Sequence, residues 1–327
     1  MDIAAARALL QPRGRLEATG LSSRRIAAEV AEGRLRHIHR GVYVDGEVWR
    51  GLYAEDRHLL RVVAVHDRSR GADVVPALTS AVVLHGLPLY RLEPRLVHLF
   101  GSRADGHVRT GDRNVARHRI AVPEEDQDVV DGIRCTNLAR TVADFIRAAP
   151  ETAGISVADA ALRRLAWDDG GHSYDVDAAG AFVAAVGERL DAAGSGRGIR
   201  RGRRIISIAD GRAQLPGESV SRLHLLALGF ATPRLQVPIA APDAGWYYVD
   251  FGLDDVDAWG EFDGIGKYFS PEILGDSDTQ AAFLAEKQRE DWIRGTTNRR
   301  YPRWGTPHIA SAAALAERLA SFHIAAP

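Results

Sequence analysis

The chain has 327 residues, of which 46% are hydrophobic and 26% are charged. This composition is typical of a globular protein long enough for two or three domains. A single cysteine, Cys135, excludes an internal disulfide and a zinc site built from several thiolates, and no apolar run reaches the ~18 residues of a membrane helix. We therefore expect a cytoplasmic protein without a membrane partner.

The net charge of −1 hides an uneven distribution of charged residues along the chain. Residues 1–50 contain nine Arg and six acids, and residues 188–212 contain seven Arg and three acids. Residues 246–291, in contrast, contain twelve acids and three bases. Two basic zones and one acidic zone indicate a protein that binds a polyanion and gathers carboxylates in one place. For each cluster taken alone, a solvated surface is an equally good explanation.

The first sixty residues are predicted to form a small helical unit followed by a hairpin. Ser22 can cap a third helix that ends at Gly33. Residues 34–39 then alternate with period two, and residues 42–44 return as a second strand after a turn. This is the element order of a winged helix-turn-helix, in which the third helix enters the major groove and the wing contacts phosphates.

Candidate DNA-binding residues come from this third helix and from the wing. They are Ser23, Arg24, Arg25, Arg34, Arg36, His37 and Arg40, with Glu29 on the same helix. Cationic side chains at these positions would contact phosphates and base edges of duplex DNA. A protein-interaction module with a solvated basic face explains the pattern as well, and that alternative stays open.

Several segments of the first half resemble a known family. They are Gly20-Leu21-Ser22, Gly33-Arg34-Leu35, Arg40-Gly41-Val42-Tyr43, residues 79–87, Val97-His98-Leu99 and residues 136–144. These segments resemble the AbiEi-type antitoxins of type IV toxin–antitoxin systems. The resemblance implies DNA binding and promoter autoregulation. For some members it also implies a cognate nucleotidyltransferase-like toxin as a partner.

The middle segment, residues 61–191, is expected to be an α/β domain of the antitoxin type. Thr136 is predicted to cap a helix on which Arg140 and Asp144, four residues apart, form a structural ion pair. His85 precedes a glycine and has no second ligand at metal spacing, so we interpret it as a core or loop histidine.

A change of composition marks the next boundary. Residues 192–217 are rich in Gly and Arg and are predicted to be a linker, in which the arginines at 200–204 could contact a phosphate backbone. A flexible solvated linker explains these arginines almost as well. The expected domains are therefore 1–60, 61–191 and 218–327, with the linker at 192–217.

The last third is predicted to fold as a helix, three strands, a helix, a strand and a helix. The predicted segments are, in that order, Glu218–Phe230, Leu235–Ala240, Trp246–Phe251, Val256–Phe262, Thr279–Arg294, Tyr301–Trp304 and Ala310–Phe322. This order resembles the core of the PD-(D/E)XK nucleases. The fold class expected for the whole chain is thus α+β multidomain.

Strand parity brings carboxylates together in this domain. Asp250 on the second strand, and Asp257, Glu261 and Asp263 on the third, point away from their apolar neighbours. Two or three such groups can bind Mg²⁺ or Mn²⁺, which activates an attacking water and neutralises charge on a phosphate. Glu218, at the start of the preceding helix, could assist. Acids on a solvent-facing sheet surface would alternate in the same way.

The only two lysines among the 42 basic residues, Lys267 and Lys287, follow this acidic segment. PD-(D/E)XK nucleases usually place Lys two residues after the Glu, where this chain has Asp263. Glu261-Phe262-Asp263-Gly264 instead resembles the Glu-x-Asp-Gly segment of very-short-patch-repair-like endonucleases. Lys267 or Lys287 could supply the missing cation. Lys267 is favoured because glycines at 264 and 266 give its loop conformational freedom.

Two hypotheses about function follow from these patterns. In the first, a DNA-binding protein carries a Mg²⁺-dependent endonuclease domain that hydrolyses phosphodiesters. In the second, the protein is a non-enzymatic antitoxin and autoregulating transcriptional repressor, and its nuclease-like domain is degenerate. Metal-dependent cleavage that is abolished by substitution of Asp250 would distinguish the two.

Overall fold

The computed structural model describes residues 1–69, 74–101, 114–264 and 276–327, without the side chains of Asp243 and residues 276–283. The chain forms two compact units of mixed α+β structure with several small sheets. Unit 1 comprises Met1–Ala161 and Val176–Ala209, and unit 2 comprises Leu162–Asp175 and Asp210–Pro327. None of the described helices combines the length and the apolar composition that a bilayer crossing requires.

Unit 1 begins with three helices and a small antiparallel sheet. The elements are α1 (Ile3–Leu9), β1 (Gln11–Pro12), α2 (Arg13–Ala18), α3 (Ser23–Ala31), β2 (Leu35–His39) and β3 (Val42–Asp45), with strand order β1-β3-β2. Ser22 caps α3 by accepting a hydrogen bond from the Arg25 backbone N–H at 3.2 Å. Gly41 adopts a φ of 67° between β2 and β3, which glycine does without strain. The predicted helix followed by a hairpin is confirmed as local structure.

The chain continues with further helices and short strands. They are α4 (Gly46–Gly51), α5 (Ala54–Arg68), β4 (Val75–Pro76), α6 (Thr79–Leu84), β5 (Val97–Gly101), β6 (Val115–Arg119), β7 (Gln127–Val130), β8 (Ile133–Thr136), α7 (Leu138–Ala148), α8 (Glu151–Ala166), β9 (Trp167–Asp168), β10 (Ser173–Tyr174), α9 (Val176–Ala192) and α10 (Ile199–Ile208). β4, β5 and β6 form one sheet, in which β5 and β6 are parallel, while β7–β8 and β9–β10 are separate hairpins. In the core of unit 1, α7 packs against α9 and α10.

Three expectations about the middle segment can be compared with its structure. Arg140 Nε lies 2.6 Å from Asp144 Oδ2, which confirms the structural ion pair. His85 is buried and donates a hydrogen bond from Nε2 to the Thr136 carbonyl at 2.8 Å, which confirms a core histidine. The predicted cap was wrong by one residue, because Asn137 accepts the Arg140 backbone N–H at 2.8 Å. Thr136 still belongs to β8, and its hydroxyl bonds that of Thr141.

The segment predicted to be a linker, residues 192–217, contains helix α10. Four of its residues are buried, namely Ile199, Gly202, Ile205 and Ile206. On the exposed side, Arg203 pairs with Asp191 at 2.7 Å. The apolar stripe of α10 was overlooked because glycines and arginines interrupt it, although its spacing of three to four residues is that of an amphipathic helix.

Unit 2 is built around a four-stranded sheet. Its elements are α11 (Pro216–Ala227), β11 (Arg234–Ala240), β12 (Trp246–Leu253), β13 (Ala258–Asp263), α12 (Asp276–Thr297), β14 (Arg303–Gly305) and α13 (Ala312–Ala320). The strand order is β11-β12-β13-β14, with β14 parallel to β13 and the other pairs antiparallel. The predicted order of helix, three strands, helix, strand and helix is confirmed.

The core of unit 2 depends on a buried tryptophan. The Trp304 ring stacks on Phe251 with centroids 5.4 Å apart, and its Nε1 donates to Ser221 Oγ of α11 at 2.8 Å. A Cβ on Gly260 would lie 2.4 Å from the Trp304 ring, so only glycine fits at this position of β13. The prediction that Asp257 lies on the third strand is wrong. With a φ of 48° it precedes β13, and its carboxylate pairs with Arg299 at 2.9 Å.

Candidate functional site

The carboxylates of Glu218 and Asp250 are joined by one amide side chain. Glu218 is buried in the first turn of α11, and its Oε2 accepts the Gln214 backbone N–H at 2.8 Å. Gln236 of β11 extends its Nε2 towards Glu218 Oε2 at 3.5 Å and Asp250 Oδ1 at 3.3 Å. Gln236 has a φ of 49°, a strained conformation for a residue within a strand. Such strain is often found where a side chain is held for a specific contact.

Asp250 lies where β12 and β13 stop pairing. The last paired residues in that direction are Phe251 and Gly260, and Asp250 and Glu261 are the next residue of each strand. Asp250 Oδ2 accepts the Phe262 backbone N–H at 2.9 Å, so a side chain takes the place of a main-chain partner. Asp250 and Glu261 thus both lie at the end of the paired part of β12 and β13.

Two arginines hold the carboxylates at the end of β13. Arg289 of α12 pairs with Glu261, which is buried. Arg303 of β14 lies 2.6 Å from Asp263 and 3.7 Å from Glu261. Burial is the largest single effect and disfavours both guanidinium charges, but the hydrogen bonds to Glu261 and Asp263 and the charges of the nearby carboxylates together outweigh it and raise the pKa of each arginine. These two carboxylates are thus neutralised by charges of the protein itself.

The same arginines extend the cluster onto α12. Arg303 Nη1 lies 2.8 Å from Glu286 and 3.1 Å from Glu290, and Arg289 Nη1 lies 3.2 Å from Glu286. Tyr301 lies beside Glu261, and burial together with that carboxylate raises the pKa of its hydroxyl. We call this set the arginine–carboxylate cluster; it consists of Glu261, Asp263, Glu286, Arg289, Glu290 and Arg303.

Only one of the two candidate lysines, Lys287, lies within the described residues. Lys287 is exposed on α12, two residues before Arg289. Two residues correspond to about 200° around an α-helix, so Lys287 and Arg289 project from nearly opposite faces. Lys267 lies outside the described residues. Among the described residues, the cations beside Glu261 and Asp263 are Arg289 and Arg303. The sequence does not predict this role for them, because nothing in the pattern distinguishes them among forty arginines.

The residues predicted to hold a metal do not fit one in this arrangement. Within the described part of the chain, no group of three or more His, Cys, Asp or Glu side chains is placed to hold a metal ion. The oxygens of Glu261 and Asp263 face guanidinium groups, and an Asp250 oxygen faces a backbone N–H. A divalent cation would have to displace these donors before it could bind several of the oxygens.

The predicted DNA-binding residues divide into paired and unpaired groups. Arg25 pairs with Glu29 at 2.7 Å, and Arg34 pairs with Glu29 and Glu32. The hydrogen bond from Arg34 lowers the pKa of Glu29, which therefore remains a counter-charge. The Ser23 hydroxyl accepts a hydrogen bond from Arg13. These contacts occupy the polar groups of Ser23, Arg25 and Arg34, so fewer hydrogen-bond donors remain for a polyanion.

The other members of the predicted surface are exposed. Arg24 lies in the first turn of α3, Arg36 lies on β2, and Arg40 lies in the turn before β3. None of the three forms an ion pair with a residue in the described ranges. The exposed His37 ring packs edge-on against Tyr43 with centroids 5.3 Å apart. Exposed cations thus lie on both α3 and the β2–β3 hairpin.

Comparisons with known proteins give relatives but no activity. No family model matches the chain. Two curated proteins from different strains of Mycobacterium tuberculosis, both named only as uncharacterized proteins, are each 27% identical over 248 residues. The matched region covers 73% of this chain and 81% of each relative. The chain is therefore similar to these proteins over most of both lengths.

Proposed function

We propose that the protein is a cytoplasmic, duplex-DNA-binding protein of the winged helix-turn-helix type. In this proposal α3 enters the major groove and the β2–β3 hairpin contacts the phosphate backbone. The observation that carries the proposal is the set of exposed arginines on these elements, Arg24, Arg36 and Arg40. The resemblance of the first half to AbiEi-type antitoxins supports a role as an autoregulating repressor with a nucleotidyltransferase-like toxin as its partner.

The position of Arg24 makes it the principal contact. Residues near the N-terminus of a recognition helix approach the base edges, and Arg24 is the second residue of α3. Its neighbour Arg25 is held by Glu29 and would have to leave that ion pair to reach a phosphate. Arg40 lies at the tip of the hairpin, where a wing meets the backbone.

The test is the salt dependence of duplex binding by the variant Arg24→Ala/Arg40→Ala. Each lost phosphate contact lowers the slope of log K against log salt by roughly one unit, so loss of Arg40 should reduce the slope by about one. Loss of Arg24 from the base edges should weaken binding further. Arg134→Ala removes an equally exposed arginine from β8 and is the matched control. Unchanged affinity and slope in a folded double variant would contradict the proposal.

A second candidate function is Mg²⁺- or Mn²⁺-dependent phosphodiester hydrolysis by unit 2. The element order of a PD-(D/E)XK core and the presence of Asp250 and Glu261 on neighbouring strands favour it. A bound metal would supply an activated water and neutralise charge on the phosphate. The carboxylates of Glu261, Asp263 and Asp250, however, are engaged by Arg289, Arg303 and a backbone N–H, and a metal ion would have to displace these donors. DNA binding by a protein with a nuclease-like, non-enzymatic unit 2 is the better-supported function.

A cleavage assay distinguishes the two candidates. Wild-type protein is expected to leave supercoiled, linear and single-stranded DNA intact in the presence of Mg²⁺ or Mn²⁺. The matched variant is Asp250→Asn, which keeps the side-chain size and removes the charge. Metal-dependent cleavage by the wild type that Asp250→Asn abolishes would establish the endonuclease and overturn the non-enzymatic interpretation of unit 2.

A further inference from the structure

Unit 1 contains a basic cavity whose wall shares Arg36 and His37 with the predicted DNA-binding surface and otherwise consists of residues that the proposed function does not use. Its volume is about 420 Å³, within the range of about 300–1,000 Å³ that is usual for small-molecule pockets. We call it the arginine cleft, and it is lined by Arg36, His37, Ile38, Trp49, Ala54, Arg57, Arg61, Glu93, Arg95 and Asn114. Four arginines and one glutamate give the wall a strong excess of positive charge.

The four arginines come from three separate parts of the chain. Arg36 lies on β2, Arg57 and Arg61 lie one turn apart on α5, and Arg95 lies just before β5. Like charges four residues apart on a helix repel each other, and none of the four forms an ion pair with a carboxylate of the described residues. An anion bound in the cleft would reduce this repulsion between the arginines.

Backbone carbonyls hold two of these guanidinium groups in place. Arg57 donates to the carbonyl oxygens of Trp49 at 3.0 Å and Arg50 at 2.9 Å, and Arg61 donates to that of Pro94 at 2.9 Å. Burial lowers the pKa of Arg61, and the charges of the other cleft arginines lower it further. Because carbonyl groups carry no net charge, these bonds orient the arginines without neutralising them.

An indole ring organises the cluster. The guanidinium carbons of Arg36, Arg57 and Arg61 lie 5.6, 5.6 and 4.9 Å from the centre of the Trp49 ring. Cation–π contacts of this kind hold cations close together against their mutual repulsion. Planar guanidinium groups fixed in this way present paired N–H donors, which match the oxygens of a phosphate group.

We propose that the arginine cleft binds a small phosphorylated ligand with at least two negative charges, of the size of a nucleoside triphosphate. The excess positive charge requires a multivalent anion, and the fixed guanidinium forks favour phosphate oxygens over a diffuse charge. The concave shape favours a compact ligand over a duplex. A duplex is itself convex and lies along an open protein surface. Arg36 belongs both to this cleft and to the surface proposed to bind DNA, whereas Arg24 and Arg40 do not line the cleft.

The test is direct binding of sodium triphosphate and ATP to the full chain, measured by calorimetry at low salt, with adenosine as the uncharged comparison. Saturable 1:1 binding of triphosphate and ATP without binding of adenosine is expected. Arg95→Ala, at an exposed wall residue, should weaken binding by about tenfold, as expected for a lost charged hydrogen bond. Arg134→Ala, an equal loss of charge on β8, should leave the affinity unchanged.

Glu93→Gln provides a test that misfolding cannot imitate. Glu93 is exposed and is the one acid among the described residues that line the cleft, so its neutralisation should tighten triphosphate binding several-fold. Absence of saturable triphosphate or ATP binding by the wild type would overturn the proposal, as would equal affinities of the Arg95 and Arg134 variants. If a short duplex binds in an Arg95-dependent manner and triphosphate does not, the cleft serves the DNA backbone and the small-ligand proposal is wrong.

Discussion

Arg289 and Glu261 form a buried ion pair that fastens α12 to β13. The two side chains are 18% and 8% exposed, and the same guanidinium also donates to the carbonyl oxygen of Tyr248 on β12. One side chain thus connects a helix with two strands of the sheet in unit 2. Glu261 is also a candidate metal ligand. In this ion pair its carboxylate binds the Arg289 guanidinium instead of a metal ion.

Removal of Arg289 should destabilise the fold. Arg289→Ala leaves the Glu261 carboxylate buried with only the more distant Arg303, and breaking a buried pair in this way costs about 3 kcal/mol. Lys287→Ala, at an exposed position of the same helix, should change the free energy of unfolding by less than about 0.5 kcal/mol. Urea unfolding followed by tryptophan fluorescence measures both. Equal losses of unfolding free energy in the two variants would show that the ion pair contributes nothing to stability.

A glycine in α11 is required by the ring of Phe262. A Cβ at Gly217 would lie 2.0 and 2.1 Å from ring atoms Cε1 and Cζ, so Gly217→Ala should force the ring aside and cost about 1–3 kcal/mol. Gly295 of α12 has no atom within 4 Å of such a Cβ, and Gly295→Ala should stabilise the helix by up to about 1 kcal/mol. Thermal unfolding should therefore shift in opposite directions. A shift in the same direction would refute the packing argument.

The stability of unit 1 should decrease in mild acid. Burial lowers the pKa of His58 to about 3, with Arg61 adding to the effect, and burial together with His118 lowers the pKa of His98 to about 4. An unfolded histidine takes up its proton near pH 6.5, whereas both folded rings remain neutral. The unfolded state then binds more protons between about pH 6.5 and pH 4, so stability falls as the pH falls through this window.

The magnitude of that pH dependence is testable by substitution. Each buried imidazole contributes up to about 1.4 kcal/mol per pH unit, so His98→Gln should reduce the pH slope of the unfolding free energy by about one proton. His323→Gln, at an exposed histidine, controls for the loss of an imidazole. Chemical denaturation between pH 7 and pH 4.5 gives the slopes. A slope that His98→Gln leaves unchanged would argue against a neutral, half-buried His98 ring.

The single thiol should be inert in the folded protein. Cys135 is buried, and burial together with Asp128 raises the pKa of its thiol to about 12. At pH 8 only about one molecule in ten thousand would carry the reactive thiolate. A disulfide reagent should therefore label the native protein far more slowly than the protein unfolded in guanidinium chloride. Native labelling at the rate of the unfolded sample would contradict this expectation.

Local patterns were sufficient for the elements of both ends of the chain. The cap at Ser22, the hairpin after α3 and the order of helices and strands in unit 2 were predictable because hydrophobic periods of 3.6 and 2 are properties of neighbouring residues. The errors were also local. Asp257 was assigned to β13, whereas its positive φ ends the preceding turn. The cap at Asn137 was misplaced because Thr136 is as suitable a residue type.

The partners of the charged groups were decided by the tertiary structure alone. Arg303 lies 40 residues from Asp263 along the chain and reaches it only because β14 runs parallel to β13 and pairs with it. Arg36, Arg57 and Arg61 surround Trp49 because β2 and α5 pack together in unit 1. Forty similar arginines carry no local signal for their partners. Coulombic attraction and desolvation depend on distance and burial, and these exist only once the strands and helices have packed.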